Sequence, residues 1–194
     1  VTIPATPRRR LDRELDAYLG GMPRIETAPI DTERLLLEPL RVDHAEAMAA
    51  VLDDPQLHAF IGGAPSTAEQ LRTRYARMLA GPEDPQGSWC NWVIRVRAEE
   101  GLAGTIQATV VPGPTGTTAE IAWVVGTGWQ GRGLAKEAAR ALVAWLAERD
   151  VATVIAHVHP EHRASAAVAA AAGLAATDEV DDGEIRWSLR LRST

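Results

Sequence analysis

The 194-residue chain contains one cysteine (Cys90), one lysine (Lys136) and two tyrosines (Tyr18 and Tyr75). A single cysteine excludes an internal disulfide and fits a reducing compartment. Set between Trp89 and Asn91, Cys90 reads as a small packing residue rather than a nucleophile. No run of eighteen apolar residues is present, and the first residues lack the apolar core of a signal peptide. The expectation is a soluble cytoplasmic protein that does not engage a membrane. A basic surplus is missing as well. The formal net charge of -6 argues against a nucleic-acid surface and favours cationic ligands such as amines. Nineteen of the twenty basic residues are arginine, which with the many alanines points to a GC-rich coding sequence and says little about mechanism.

The length suits one domain with a small appendage. Leu11, Leu15 and Leu19 make a narrow stripe ended by Gly20-Gly21, which predicts a short N-terminal helix in an extension over residues 1–29, ahead of a main domain over 30–194. Ile30 to Leu37 reads as the first core strand. Asp43 with Glu46, and Ser66 with Glu69, resemble capping boxes for two helices, the second placing Leu71, Tyr75, Met78 and Leu79 on one face. Alternation over 92–97 and 105–110, joined by turn residues and followed by the run Ala119 to Val125, predicts an antiparallel meander. Leu134, Ala138, Leu142, Trp145 and Leu146 form the apolar face of a long helix. That helix crosses over to a parallel strand, Ala152 to Val158. An alanine-rich helix from Ser165 stops at Gly173, and Ile185 to Leu191 alternate as a last antiparallel strand.

Between the Ala119 strand and the long helix lies Trp129-Gln130-Gly131-Arg132-Gly133-Leu134-Ala135. A glycine-rich turn entering a helix leaves backbone N–H groups without intrahelical partners, where the helix dipole also favours negative charge. Such a turn cradles an anion, and Arg132 and Lys136 add positive charge beside it. Gly126 to Gly131 spells the dinucleotide fingerprint, but Glu148 and Asp150 precede the next strand instead of capping it. A Walker A loop is excluded because Arg132-Gly133 follows Gly131.

Gln130, Gly133 and Ala135 in this setting resemble the signature of the GCN5-related N-acetyltransferase (GNAT) superfamily: Gln or Arg, two residues, Gly, one residue, then Gly or Ala. Ala119 to Val125 looks like the family's fourth strand, Leu134 onward like its central helix, and Pro160 through Leu174 like its next loop and helix. The resemblance covers about Thr32 to Leu191, and it is nearest to the branch of ribosomal-protein N-terminal acetyltransferases and small-molecule acetyltransferases. It implies an α/β (α+β) fold of bacterial type, with a mixed, mostly antiparallel sheet of about seven strands, two of them splayed and parallel, and about four helices besides the N-terminal one. It also implies acetyl-CoA as co-substrate and transfer to a primary amine, on a small molecule or a peptide, by direct attack in a ternary complex. Gln130, Gly131, Arg132, Gly133, Leu134 and Ala135 would hold the pyrophosphate, and Val124 and Val125 the pantetheine arm. His162 stands where the family often has Asn, in contact with the pantetheine arm. Pairing of two copies through the final strands is a common family outcome.

For the chemistry, the resemblance implies Glu120 as the base that takes the amine proton. The family's tyrosine acid is missing, because Ala166 to Ala172 holds only alanine and valine. Ser165, which matches a family serine near the cofactor sulfur, or a water must then serve. Two other readings compete. His157, His159 and His162, in the pattern H-x-H-x-x-H, would offer a metal that activates water in a hydrolase. A degenerate module that binds acyl-CoA as a sensor is the non-enzymatic alternative. The acceptor surface is expected to draw on His58, Phe60, Ile61, Trp89, Trp123 and the acidic stretch Asp178 to Glu184.

Overall fold

The computed structural model describes residues 24–191 apart from 59–61, 84–86, 100 and 114–115. The expected N-terminal helix, Phe60 and Ile61 lie outside the described residues. Eight strands form one sheet: β1 (Ile30–Asp31), β2 (Leu35–Pro39), β3 (Ser88–Val96), β4 (Gly101–Val111), β5 (Thr117–Val125), β6 (Val151–Val158), β7 (Ala175–Asp181) and β8 (Glu184–Arg190). Their order is β1-β2-β3-β4-β5-β6-β8-β7, and only β5 and β6 run parallel. Among the described residues four α-helices pack on it: α1 (Ala45–Val51), α2 (Ala68–Ala80), α3 (Leu134–Ala147) and α4 (Arg163–Ala171).

The meander, the parallel crossover and the antiparallel last strand stand where the sequence pattern predicts them. The expected first strand is broken, because Thr32 Oγ1 accepts from Leu35 N at 2.8 Å and folds the chain into a turn between β1 and β2. β7 was not expected. It returns through Asp182-Gly183, both at positive φ, into β8. The acidic stretch therefore forms an edge hairpin.

All five residues of the predicted α3 face are buried, Leu142 and Leu146 completely. Each such leucine contributes roughly 1.5–3 kcal/mol of burial free energy. They join α4 and the inner residues of β2 to β6 in the larger core, where Trp92 meets Trp145 edge-on at 5.1 Å. A smaller core lies on the opposite face, where Met48 of α1 and Leu71 and Tyr75 of α2 cover Val93 and Leu102.

Both helix caps on that second face differ from expectation. In Ser66-Thr67-Ala68-Glu69-Gln70 two overlapping pairs fit the capping pattern, and the reciprocal bonds form between Thr67 and Gln70. At the entry to α1 it is His44 Nδ1 that accepts, from Arg41 N at 3.1 Å, while Asp43 pairs with Arg41 and Glu46 with Arg72. Leu79, expected on the apolar face of α2, is exposed.

Beneath this turn Glu38 accepts from Arg95 and Arg41. Burial alone would raise its carboxyl, but the two guanidiniums outweigh burial and hold it at about 2 against an ordinary 4.5. A depressed carboxylate stabilises the fold above its unfolded pKa and loses that contribution as pH falls through the folded value. Glu38→Gln should therefore lower the melting temperature at neutral pH, and the gap to the parent should close between about 4.5 and about 2 in a pH series of thermal melts.

Candidate active site

The parallel pair is bonded over one end only. Thr117 to Glu120 of β5 pair with Val151 to Ile155 of β6, and no pairing follows although both strands continue. β5 stays with β4 up to Val125, and β6 stays with β8 up to Val158, so the two diverge into a wedge. The bond from Gly126 N to Ala103 O makes Gly104 and Val125 a non-hydrogen-bonded pair. Antiparallel geometry then turns the backbone groups of Val124 toward Thr105, and those of Trp123 and Val125 toward the wedge. Of the two residues expected to meet a pantetheine arm, Val125 offers its backbone there and Val124 does not. Gly104 permits this register, since a Cβ on it would meet the Val124 carbonyl oxygen at 2.0 Å.

Two candidate bases meet where pairing ends. His157 Nδ1 lies 2.8 Å from Glu120 Oε1, both side chains being partly buried. An ionised carboxylate only accepts, so Nδ1 donates and Nε2 is left as the acceptor of the neutral ring. The spacing of two in each strand could have suggested this pair, because Glu120 and His157 both sit on the face opposite α3. The β5–β6 register needed to bring them together was not readable.

At the wide end of the wedge the glycine turn enters α3. Gly133 is its N-cap at φ +76° and supplies no side-chain cap. Glu137 N is the first to bond back, to Gly133 O at 3.1 Å, so the amides of Leu134, Ala135 and Lys136 precede the intrahelical ladder. Gly131 also has positive φ and open space where a Cβ would stand. Gln130 Nε2 donates to Val125 O at 3.0 Å and ties the turn to the end of β5. Glu137 in the first turn of α3 accepts from Thr32 Oγ1 and from Arg34 N and Nε, which clamps the helix start to the β1–β2 turn. Arg132 does not stand free beside the cradle. It pairs with Glu99 and stacks 5.1 Å from the Trp129 ring centre.

The remaining predicted residues separate. His162 caps α4, its Nδ1 accepting from Ser165 N at 3.0 Å, and burial pushes its pKa down. Ser165 is the third residue of α4, just past the end of β6. His159 Nδ1 accepts from Glu161 N at 3.2 Å. The three histidines thus serve three different local bonds. Among the described residues no three of His, Cys, Asp and Glu gather to hold a metal. Cys90 is buried, and burial pushes its thiol up, away from nucleophile chemistry.

A cleft of about 510 Å³ runs beside the wedge, between α1 and α2 and the sheet. Its floor includes Asn91, Thr105, Gln107, Ala122 and Val124, on the face that carries Glu120. Of the expected acceptor residues, His58 and Trp123 line it; Trp89 and the acidic hairpin do not. Tyr75, Arg74 and Arg77 of α2 line it too and were missed. The apolar neighbours of the tyrosine at helical spacing predict a core residue, and it is buried.

The family model for an acetyltransferase (GNAT) domain matches residues 34–175. The chain belongs to the GNAT acetyltransferase family. The same fold recurs in a GNAT-family acetyltransferase from Bacillus anthracis, 22% identical with a TM-score of 0.69, over 84% of this chain and 98% of that one. The ribosomal L7/L12 alpha-N-protein acetyltransferase RimL, solved with coenzyme A, is 16% identical with a TM-score of 0.69, over 86% and 100%. An acetyltransferase from Agrobacterium tumefaciens is 26% identical with a TM-score of 0.65, over 86% and 96%. No curated protein matches the chain in sequence. No described helix is long and apolar enough to cross a membrane.

Proposed function

We propose that the protein is an acetyl-CoA-dependent N-acetyltransferase in which a primary amine attacks the thioester directly within a ternary complex. The observation that carries this reading is the wedge itself: a parallel pair that parts beside an acid–base dyad, with an uncapped helix start at its open end. The donor fits these residues on two counts. The amides of Leu134, Ala135 and Lys136 and the bare backbone of Gly131 and Gly133 suit a pyrophosphate. The unpaired edge of β5 suits the amides of a pantetheine arm in the manner of strand addition.

In this reading acetyl-CoA supplies the activated acetyl group and a thiolate that leaves. Gln130 fixes the turn to β5, and Arg132, held by Glu99, contributes positive charge at the rim. Glu120 with His157 takes a proton from the acceptor's ammonium, which leaves the neutral amine that attacks the thioester carbon. A wedge-facing amide of β5 at Trp123 or Val125 polarises the carbonyl as charge gathers on its oxygen. Ser165 or a water returns a proton to the thiolate. Tyr75 is a poor donor for that step, since burial raises its hydroxyl to about 12. The catalytic domain spans 30–194 with residues 1–29 as an extension, and the single buried cysteine suits a cytoplasmic setting.

Initial-rate kinetics that follow free thiol release, with amine and acetyl-CoA both varied, test the reading. Intersecting lines and product acetylated at nitrogen are expected. CoA binding with no thiol release from any amine would instead make the chain an acyl-CoA sensor.

A further inference from the structure

Resting on the acetyltransferase reading, we infer that the acceptor is a small zwitterion, an amine that also carries a carboxylate, with its anionic end held under α2. The acidic character of the whole chain suggests the opposite, a polycationic acceptor, but the cleft does not share that character. Among the described residues lining it there is no aspartate and no glutamate. Its charged or chargeable lining side chains are Arg74, Arg77 and His58. Most arginines on this surface are neutralised, as Arg72 is by Glu46 and Arg95 by Glu38. Arg74 and Arg77, one helical turn apart, make no hydrogen bond or ion pair among the described residues.

Two further lining groups lack a partner. The Tyr75 hydroxyl is buried without a hydrogen bond, the residue being only 3% exposed. His58 Nδ1 lies 3.2 Å from Gly62 O, a carbonyl that can only accept, and its buried Nε2 has no partner. A carboxylate answers the two arginines and the tyrosine. It takes paired N–H bonds from a guanidinium and accepts from a tyrosine hydroxyl. Glu120, just outside the lining, lies two residues before Ala122 on the same face of β5. Negative charge at the sheet and positive charge under α2 match a ligand with an ammonium at one end and a carboxylate at the other. The volume of about 510 Å³ is that of a small-molecule site.

The experiment compares free amino acids with their own carboxamides, which keep the amine and remove the anion, alongside phosphoethanolamine, spermidine and an aminoglycoside. Thiol release from acetyl-CoA by the full chain is the readout. The acids should exceed their carboxamides in kcat/KM by about tenfold or more, the usual weight of hydrogen bonds to a charged group. In the Arg74→Gln, Arg77→Gln double variant that preference should collapse through KM rather than kcat. Equal or better use of the carboxamides, or preference for spermidine or the aminoglycoside, overturns the zwitterion while leaving the acetyltransferase standing. Preference for phosphoethanolamine overturns the carboxylate in favour of a phosphate. If CoA binds and no amine in the panel is acetylated, thermal shifts of the CoA-bound protein with the same acid and amide pairs decide. A larger shift with the acids supports the inference, and equal shifts end it. Failure to bind CoA at all defeats the acetyltransferase reading instead.

Discussion

Glu120→Gln should lower kcat by roughly a hundredfold or more while leaving CoA affinity nearly intact. The substitution keeps the shape of the side chain and removes its proton-accepting charge. The 2.8 Å contact with His157 Nδ1 makes the expectation sharper than a lone carboxylate would allow. If the two side chains work as one acid–base unit, His157→Gln should cost a similar factor, and the double variant should lose little beyond either single one. The deficit of Glu120→Gln should shrink at high pH, where more of the amine arrives neutral. A grip on a cationic substrate gives a different pattern, a KM raised more than kcat falls. Near-normal turnover by Glu120→Gln with a collapse in His157→Gln would make His157 Nε2 the base and Glu120 the group that orients it. Near-normal turnover by both would take the dyad out of the chemistry.

That pairing also marks how far the sequence could be read. Period-two alternation located β3, β4 and β8, the run Ala119 to Val125 located β5, and the glycine turn located the start of α3, because each rests on neighbours along the chain. Glu120 and His157 were legible one at a time, Glu120 as the base and His157 as a metal ligand. Their contact depends on a register between strands 37 positions apart in the chain. β7 escaped notice because Ala175 to Asp181 is mostly exposed and carries no apolar alternation. Its Asp182-Gly183 turn is a strong hairpin signal, but it lies within an acidic stretch whose pattern is that of a solvated charge run. The caps of α1 and α2 were misplaced for a more local reason. Both Ser66 with Glu69 and Thr67 with Gln70 fit the spacing, and only packing of Leu71 and Tyr75 against the sheet chooses between them. At α1 a histidine took the role usually given to a carboxylate or hydroxyl. Arg132 was legible as a cation near the turn, whereas its pairing with Glu99 depends on the β3–β4 connection folding back over the turn.

The other large effect belongs to the turn. Gly133→Val should abolish measurable CoA binding, but that variant alone confounds two causes. Gly133 sits at φ +76°, where a β-branched residue is strained by itself, at a cost of about 1–3 kcal/mol. Gly133→Asn separates strain from occlusion. Asparagine enters the left-handed region far more readily than valine, and a Cβ here would come no nearer than 3.6 Å to Arg34 Nη2, an ordinary contact. The Asn variant should fold with a melting temperature close to the parent's. Its side chain would still stand over the amides of Leu134 and Ala135, where a pyrophosphate must approach the bare backbone. The expected result by calorimetry is a CoA dissociation constant raised by about a hundredfold, the loss of two or so charge-assisted bonds. The rise in melting temperature that CoA gives the parent should disappear with it, since a ligand stabilises only the state it binds. Unchanged CoA affinity in a folded Gly133→Asn protein would move the phosphate site away from the start of α3 and remove the main support for reading the wedge as the donor's channel.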